Sequence, residues 1–179
     1  ECLERHYSTY FDGRHAICYL HVNHLKYYNR IHGIDAGDEV LHVVIAHLAK
    51  VATKHLVARY AGDGLTFLAT ADVVNTIPAV VNDLLPTFGD AHGLEVKMGA
   101  VLCFSPLSVD DCMRRALFAC TTIGDQNDTF LCWFDGKVSQ AFAKRTYVID
   151  HLDDAIARGE IRAWAQPIVR VLTGRICTP

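Results

Sequence analysis

The segment Arg59 to Leu68, "RYAGDGLTFL", sets a carboxylate between two glycines, Gly62, Asp63 and Gly64, and flanks them with short apolar stretches. Glycines on either side of an aspartate let the chain reverse tightly with a positive φ, so the stretch reads as a β-hairpin. A carboxylate held at such a tip is a hard oxygen donor suited to Mg²⁺. The turn alone needs no chemistry to explain it, so the neighbouring segments decide. A second group, His15, His21 and His24, clusters along one strand and has the residue type for a borderline metal such as Zn²⁺, although no cysteine or carboxylate completes the set.

Positioning these residues requires a sheet with helices on it. "HAICYLHV" reads as a buried strand. In "AGDEVLHVVIAHLAKVATKH", Val40, Leu41, Val44, Ile45, Leu48 and Val51 recur at helical spacing behind acids, Asp38 and Glu39, that the pattern places in the first turn. The hairpin follows, then a helix over "VVNTIPAVVNDLLPTF" with Pro78 near its start. A strand around Gly99 leads to a helix capped by Ser108, and "TFLCWF" gives another strand. A long amphipathic helix from Lys137 ends at Gly159, a residue suited to a C-cap, before a final strand broken at Pro167. This alternation predicts an α/β fold, a central mixed sheet containing an antiparallel hairpin with helices packed on both faces.

The 179 residues carry a net charge of −3, a pI near 6.4 and 51% hydrophobic residues, enough for one domain with a flanking piece. Seventeen basic residues scattered among 20 acids provide no footprint for nucleic acid or an anionic membrane. No stretch reaches the ~20 apolar residues that span a bilayer. Seven cysteines without a C-x-x-C pair fit a reducing, cytoplasmic setting. Both ends read as cuts through a longer protein.

At this point the residues resemble a known family. "YLHVNHLKYYNRIHGIDAGDEVL" is similar to the opening half of the GGDEF, or diguanylate cyclase, domains, in which D-x-D ends a strand and F-K-x-x-N-D, G-H and G-D-x-x-L follow. Lys26, Asn29, Gly33, Gly37, Asp38 and Leu41 fall at matching positions, and the signature hairpin corresponds to Ala61 to Leu65. The likeness covers about residues 1–135 without the usual L-T-G-L-x-N-R entry, and implies the nucleotidyl-cyclase-like fold. "LDDAIARGEIRAWAQPIVRVLTGRI" resembles the entry of the EAL, or cyclic di-GMP phosphodiesterase, domains. The implied division is a degenerate GGDEF domain over 1–135, a linker helix over 136–159, and the first strand of a truncated EAL domain over 160–179.

The resemblance also implies what has been lost. The two aspartates of D-x-D are His21 and Asn23 here, and the fourth signature position, an acid linked to metal in the family, is Gly64. Asp63 alone remains as a weak metal ligand, so Mg²⁺ is not expected to bind tightly. Gly124 and Gln126 fall near the family's triphosphate-holding lysine and arginine. Ala52 to His55 do not match the R-x-x-D product-inhibition site. Asn29 and Asp38 match the guanine-reading positions, with Arg30 replacing the family's neighbouring aspartate, and Gly62 and Asp63 complete the nucleotide-binding set.

The expectation is therefore a GGDEF domain without catalytic residues in a tandem cyclic di-GMP signalling protein, with GTP as a ligand, an intramolecular EAL domain as partner and a homodimer as assembly. The alternatives are a structural or dimerisation domain without nucleotide binding, and a residual cyclase.

Overall fold

The computed structural model describes residues 7–88, 93–104, 107–124, 129–164, 166–169, 171–172 and 176–177. Two compact units divide the chain, residues 1–142 and 143–179. The first opens with a short helix, α1 (Tyr7–Tyr10), and is built on a five-stranded sheet: β1 (Asp12–Asn23), β2 (Val57–Ala61), β3 (Gly64–Thr70), β4 (Glu95–Phe104) and β5 (Leu131–Trp133), in spatial order β2-β3-β1-β4-β5. Only the β4–β5 pair is parallel, so the sheet is mixed as expected.

The central strand β1 is buried on both sides, because its alternate residues feed two cores. Ala16, Cys18, Leu20 and Val22 join Leu65, Phe67, Val96 and Met98 beneath helix α3 (Ile34–Val51), whose Val40, Leu41, Val44 and Leu48 are buried. Ile17, Leu68, Val101 and Cys103 pack instead with Cys112 and Ala116 of α6 (Val109–Thr121). Gly99 lets α6 approach, since a Cβ there would stand 2.0 Å from the Ala116 carbonyl oxygen and 2.4 Å from the Cys120 nitrogen.

The helices differ from the pattern reading in four places. α2 (Leu25–His32) was not expected; it buries only Leu25 and Tyr28, too few to register as a periodic face. α3 begins at Ile34, so its first-turn acid is Asp35, and Asp38 and Glu39 belong to the following turn. The helix expected around Pro78 is divided into α4 (Ala71–Val74), α5 (Ile77–Leu84) and a 3₁₀ turn, with Pro78 at the start of α5 where its missing N–H costs nothing. The long helix from Lys137 is two helices, α7 (Gly136–Asp150) and α8 (Leu152–Ala157), separated at His151. In the first unit, Phe142 of α7 packs edge-on against Phe118 and Phe134.

In the second unit, α8 closes at Gly159, whose φ of +73° suits glycine, with the Glu160 N–H donating to the Ala155 carbonyl at 3.0 Å. A two-stranded antiparallel ladder, β6 (Ile168–Val169) with β7 (Ile176–Cys177), follows Pro167. Among the described residues no helix is long and apolar enough to cross a membrane.

Candidate functional site

The hairpin between β2 and β3 turns on Gly62 (φ +54°) and Asp63, as its glycines predict. Register brings Gly64 directly opposite His21 near the end of β1. The Val22 N–H donates to the Asp63 carbonyl at 3.2 Å, tying the turn to that strand end. His21 Nδ1 lies 3.3 Å from Asp63 Oδ1, both side chains being partly buried.

On the other side of the hairpin, Arg59 donates from Nε to the Gly62 carbonyl at 2.6 Å and brings Nη1 to 3.6 Å from Asp38 Oδ1. That ion pair is half exposed and is worth little to stability. Its effect is positional, linking Asp38 of α3 to the turn. One residue before Asp38, Gly37 accommodates Asn29 of α2: a Cβ on Gly37 would meet Asn29 Oδ1 at 1.7 Å. Asn29 Oδ1 is buried without a hydrogen-bond partner among the described residues. Asn29, Asp38, Gly62, Asp63, His21 and Gly64 are all brought to the same end of the sheet.

Pattern reading missed the residues behind His21. Lys97 of β4 is cross-strand partner to His21, and Glu95 to Asn23. Only 4% of Lys97 is exposed; its ammonium donates to the Gly124 carbonyl at 3.2 Å and sits 3.4 Å from Glu95 Oε1, which also accepts from Asn23 Nδ2 at 2.9 Å. His21, Asn23 and Lys97, with Tyr19, Cys120 and Thr121, line an open cleft of about 210 Å³. The Tyr19 ring covers Gly64, where a Cβ would fall 2.3 Å from its hydroxyl oxygen. Burial pushes the Tyr19 phenol up to about 12 and the Cys120 thiol up to about 12, so neither supplies an anion at neutral pH. A lysine flanked by Val96 and Met98 has the alternation of a solvent-facing strand position, which conceals it in the sequence.

The histidines do not gather. His15 and His21 are separated by six strand residues, about 20 Å, and His15 Nδ1 is 3.1 Å from Asp12. Among the described residues no three His, Cys, Asp or Glu side chains gather as a metal-ligand set. Of the remaining positions, Thr53–His55 form a 3₁₀ turn with Lys54 at φ +51°, and Gln126 lies outside the described residues.

The family described as "Diguanylate cyclase, GGDEF domain" matches residues 3–121. The chain belongs to the GGDEF family. Its fold resembles the GGDEF domain of DgcB from Caulobacter crescentus, solved in complex with c-di-GMP, at 21% identity and a TM-score of 0.61 over 74% of this chain and 85% of that one. The GGDEF-only fragment of TpbB, or YfiN, from Pseudomonas aeruginosa is similar over 79% and 90% of the two chains, with 17% identity and a TM-score of 0.62. The active GGEEF domain of a diguanylate cyclase from Vibrio cholerae aligns over 73% and 88%, with 17% identity and a TM-score of 0.57. No curated protein is similar enough to count as a relative. GGDEF domains act in cyclic di-GMP signalling, and this chain is a diguanylate cyclase-type domain of that kind.

The Mg²⁺ that GGDEF chemistry generally employs does not fit these side chains. A small hard cation wants an octahedral shell of oxygens. Here Asp63 faces an imidazole and Glu95 is held by an amide and an ammonium.

Proposed function

We propose that this chain is a catalytically silent GGDEF domain that recognises guanine nucleotide and regulates an EAL phosphodiesterase domain following it. The observation that carries this reading is the cross-strand pair His21 and Lys97, with Tyr19 over Gly64, at the sheet end where the family resemblance puts the metal carboxylates. Joining two GTP molecules requires a 3′-hydroxyl to be activated and phosphate charge to be neutralised at the same point. An imidazole, an ammonium and a half-buried phenol give no carboxylate cluster for a metal to do so.

Base recognition draws on different residues. The Asp38 carboxylate accepts hydrogen bonds from a guanine N–H edge, and an amide Nδ2 at Asn29 donates to the base carbonyl. Gly62 and Asp63 form the hairpin rim. Regulation of the EAL domain runs through residues 136–159, and the domain works in the cytoplasm, as a homodimer. Differential contact with two arrangements of those helices is what such control requires.

A scaffold or dimerisation role without nucleotide has one observation in its favour: Tyr27, Ile31 and Ile34 are 62%, 57% and 70% exposed along and just beyond α2. Calorimetric titration of GTP separates the two readings. Heat of binding that disappears in Asp38→Ala supports the nucleotide-binding domain; no heat at millimolar GTP favours the scaffold.

A further inference from the structure

Helix α2 and the first turns of α3 carry a surface that nucleotide recognition does not use. Tyr27 and Ile31 on α2 and Ile34 at the start of α3 are each more than half exposed. Tyr27, Arg30 and Ile31 share one face of α2 by their i, i+3 and i+4 spacing. The two helices pack together across Gly33, whose φ of +92° ends one and opens the other. Charge is segregated between them: α2 holds Lys26 and Arg30 and no acid, whereas the first two turns of α3 hold Asp35, Asp38 and Glu39 and no base. Asp38 is engaged by Arg59. Lys26, Arg30, Asp35 and Glu39 are exposed, and none of the four has a hydrogen bond or ion pair among the described residues.

We propose that this surface is a two-fold contact between two copies of the chain, in which α2 of each copy lies against the start of α3 of the other. A two-fold axis presents one patch to itself, so any contact of a residue i with a residue j is repeated as j with i. A basic helix beside an acidic one suits that symmetry. The bases of α2 meet the other copy's acids twice over, and the apolar side chains between them leave water. A partner of a single charge sign would answer only one of the two helices; a second copy answers both. The patch is small against the roughly 20–30 residues that a standard interface takes from each partner, so the dimer is weak and reversible. This inference rests on the homodimer in the reading above and specifies its surface; it does not depend on nucleotide binding.

Sedimentation velocity of the full chain over a concentration series, without nucleotide, tests it. The expected result is a monomer–dimer equilibrium that weakens severalfold between about 50 and 500 mM salt, as exposed ion pairs are screened. Ile31→Asp, at an exposed position and with circular dichroism reporting its fold, weakens the dimer by about tenfold or more. Lys26→Asp with Arg30→Asp, and separately Asp35→Lys with Glu39→Lys, each set like charges across the axis and abolish self-association. Mixing these two double variants in equal amounts restores dimers, which damage to either fold would not do. A dimer that Ile31→Asp and both double variants leave intact overturns this surface while leaving a homodimer standing. A chain that stays monomeric up to about 1 mM overturns both and leaves the patch to a different protein.

Discussion

The side-chain amide of Asn29 rests against Gly37, so closely that a methyl group at position 37 would stand 1.7 Å from its Oδ1. Gly37 is buried in the second turn of α3, directly before Asp38. The glycine therefore sets the spacing between the two residues that we assign to the guanine base.

Gly37→Ala separates stability from binding. Alanine favours a helix interior by about 1 kcal/mol over glycine, and this offsets the cost of displacing the Asn29 amide. Stability by urea unfolding is expected to change by less than about 1 kcal/mol, whereas GTP affinity falls at least about tenfold.

Gly99→Ala behaves differently, because its Cβ meets main chain rather than a movable side chain. The Ala116 carbonyl and the Cys120 nitrogen cannot retreat without shifting α6 from the sheet. A loss of about 3 kcal/mol is expected in the same unfolding experiment.

Restoring acids at His21 and Gly64 is not enough to rebuild a metal site. In His21→Asp combined with Gly64→Glu, the new glutamate competes with Tyr19 for space and Lys97 remains in the way. No Mn²⁺ uptake is expected. Adding Tyr19→Val and Lys97→Ser to the pair is expected to produce it, read from loss of the free-ion resonance signal.

The cap of α6 gives a pH dependence. Ser108 Oγ accepts from the Asp111 N–H at 3.0 Å and donates to Asp111 Oδ2 at 2.8 Å. That hydroxyl, with the Arg114 guanidinium, holds the Asp111 carboxyl below its usual value. A lowered folded value means that the carboxylate stabilises the fold above pH about 4 and loses this effect as pH falls further. Ser108→Ala is expected to cost about 1 kcal/mol at pH 7 and progressively less toward pH 3, measured by thermal unfolding across that range.

How much of this was visible in the sequence depends on the physical origin of each element. Strands β1 and β3 and helix α3 bury continuous or periodic apolar faces, and their residue patterns report it directly. The hairpin was legible because Gly62 and Gly64 mark a turn whatever surrounds it. Helix α2 was not, since Tyr27 and Ile31 are exposed and only two of its residues reach the core. The break at His151 carries no proline or glycine to announce it.

In the site, Asn29, Asp38 and Asp63 could be picked out by resemblance, but Lys97 and Tyr19 could not. Their importance comes from strand register, which places Lys97 across from His21 and Gly64 beneath Tyr19. Those are contacts between residues 45 to 76 positions apart, and no local pattern encodes them.

The central claim is that this GGDEF domain no longer joins GTP into cyclic di-GMP. The direct measurement is prolonged incubation of the chain with GTP and either Mg²⁺ or Mn²⁺, with products resolved by liquid chromatography. The account predicts no cyclic di-GMP above a heat-denatured control in either metal. Accumulation of cyclic di-GMP with time and protein concentration would contradict it.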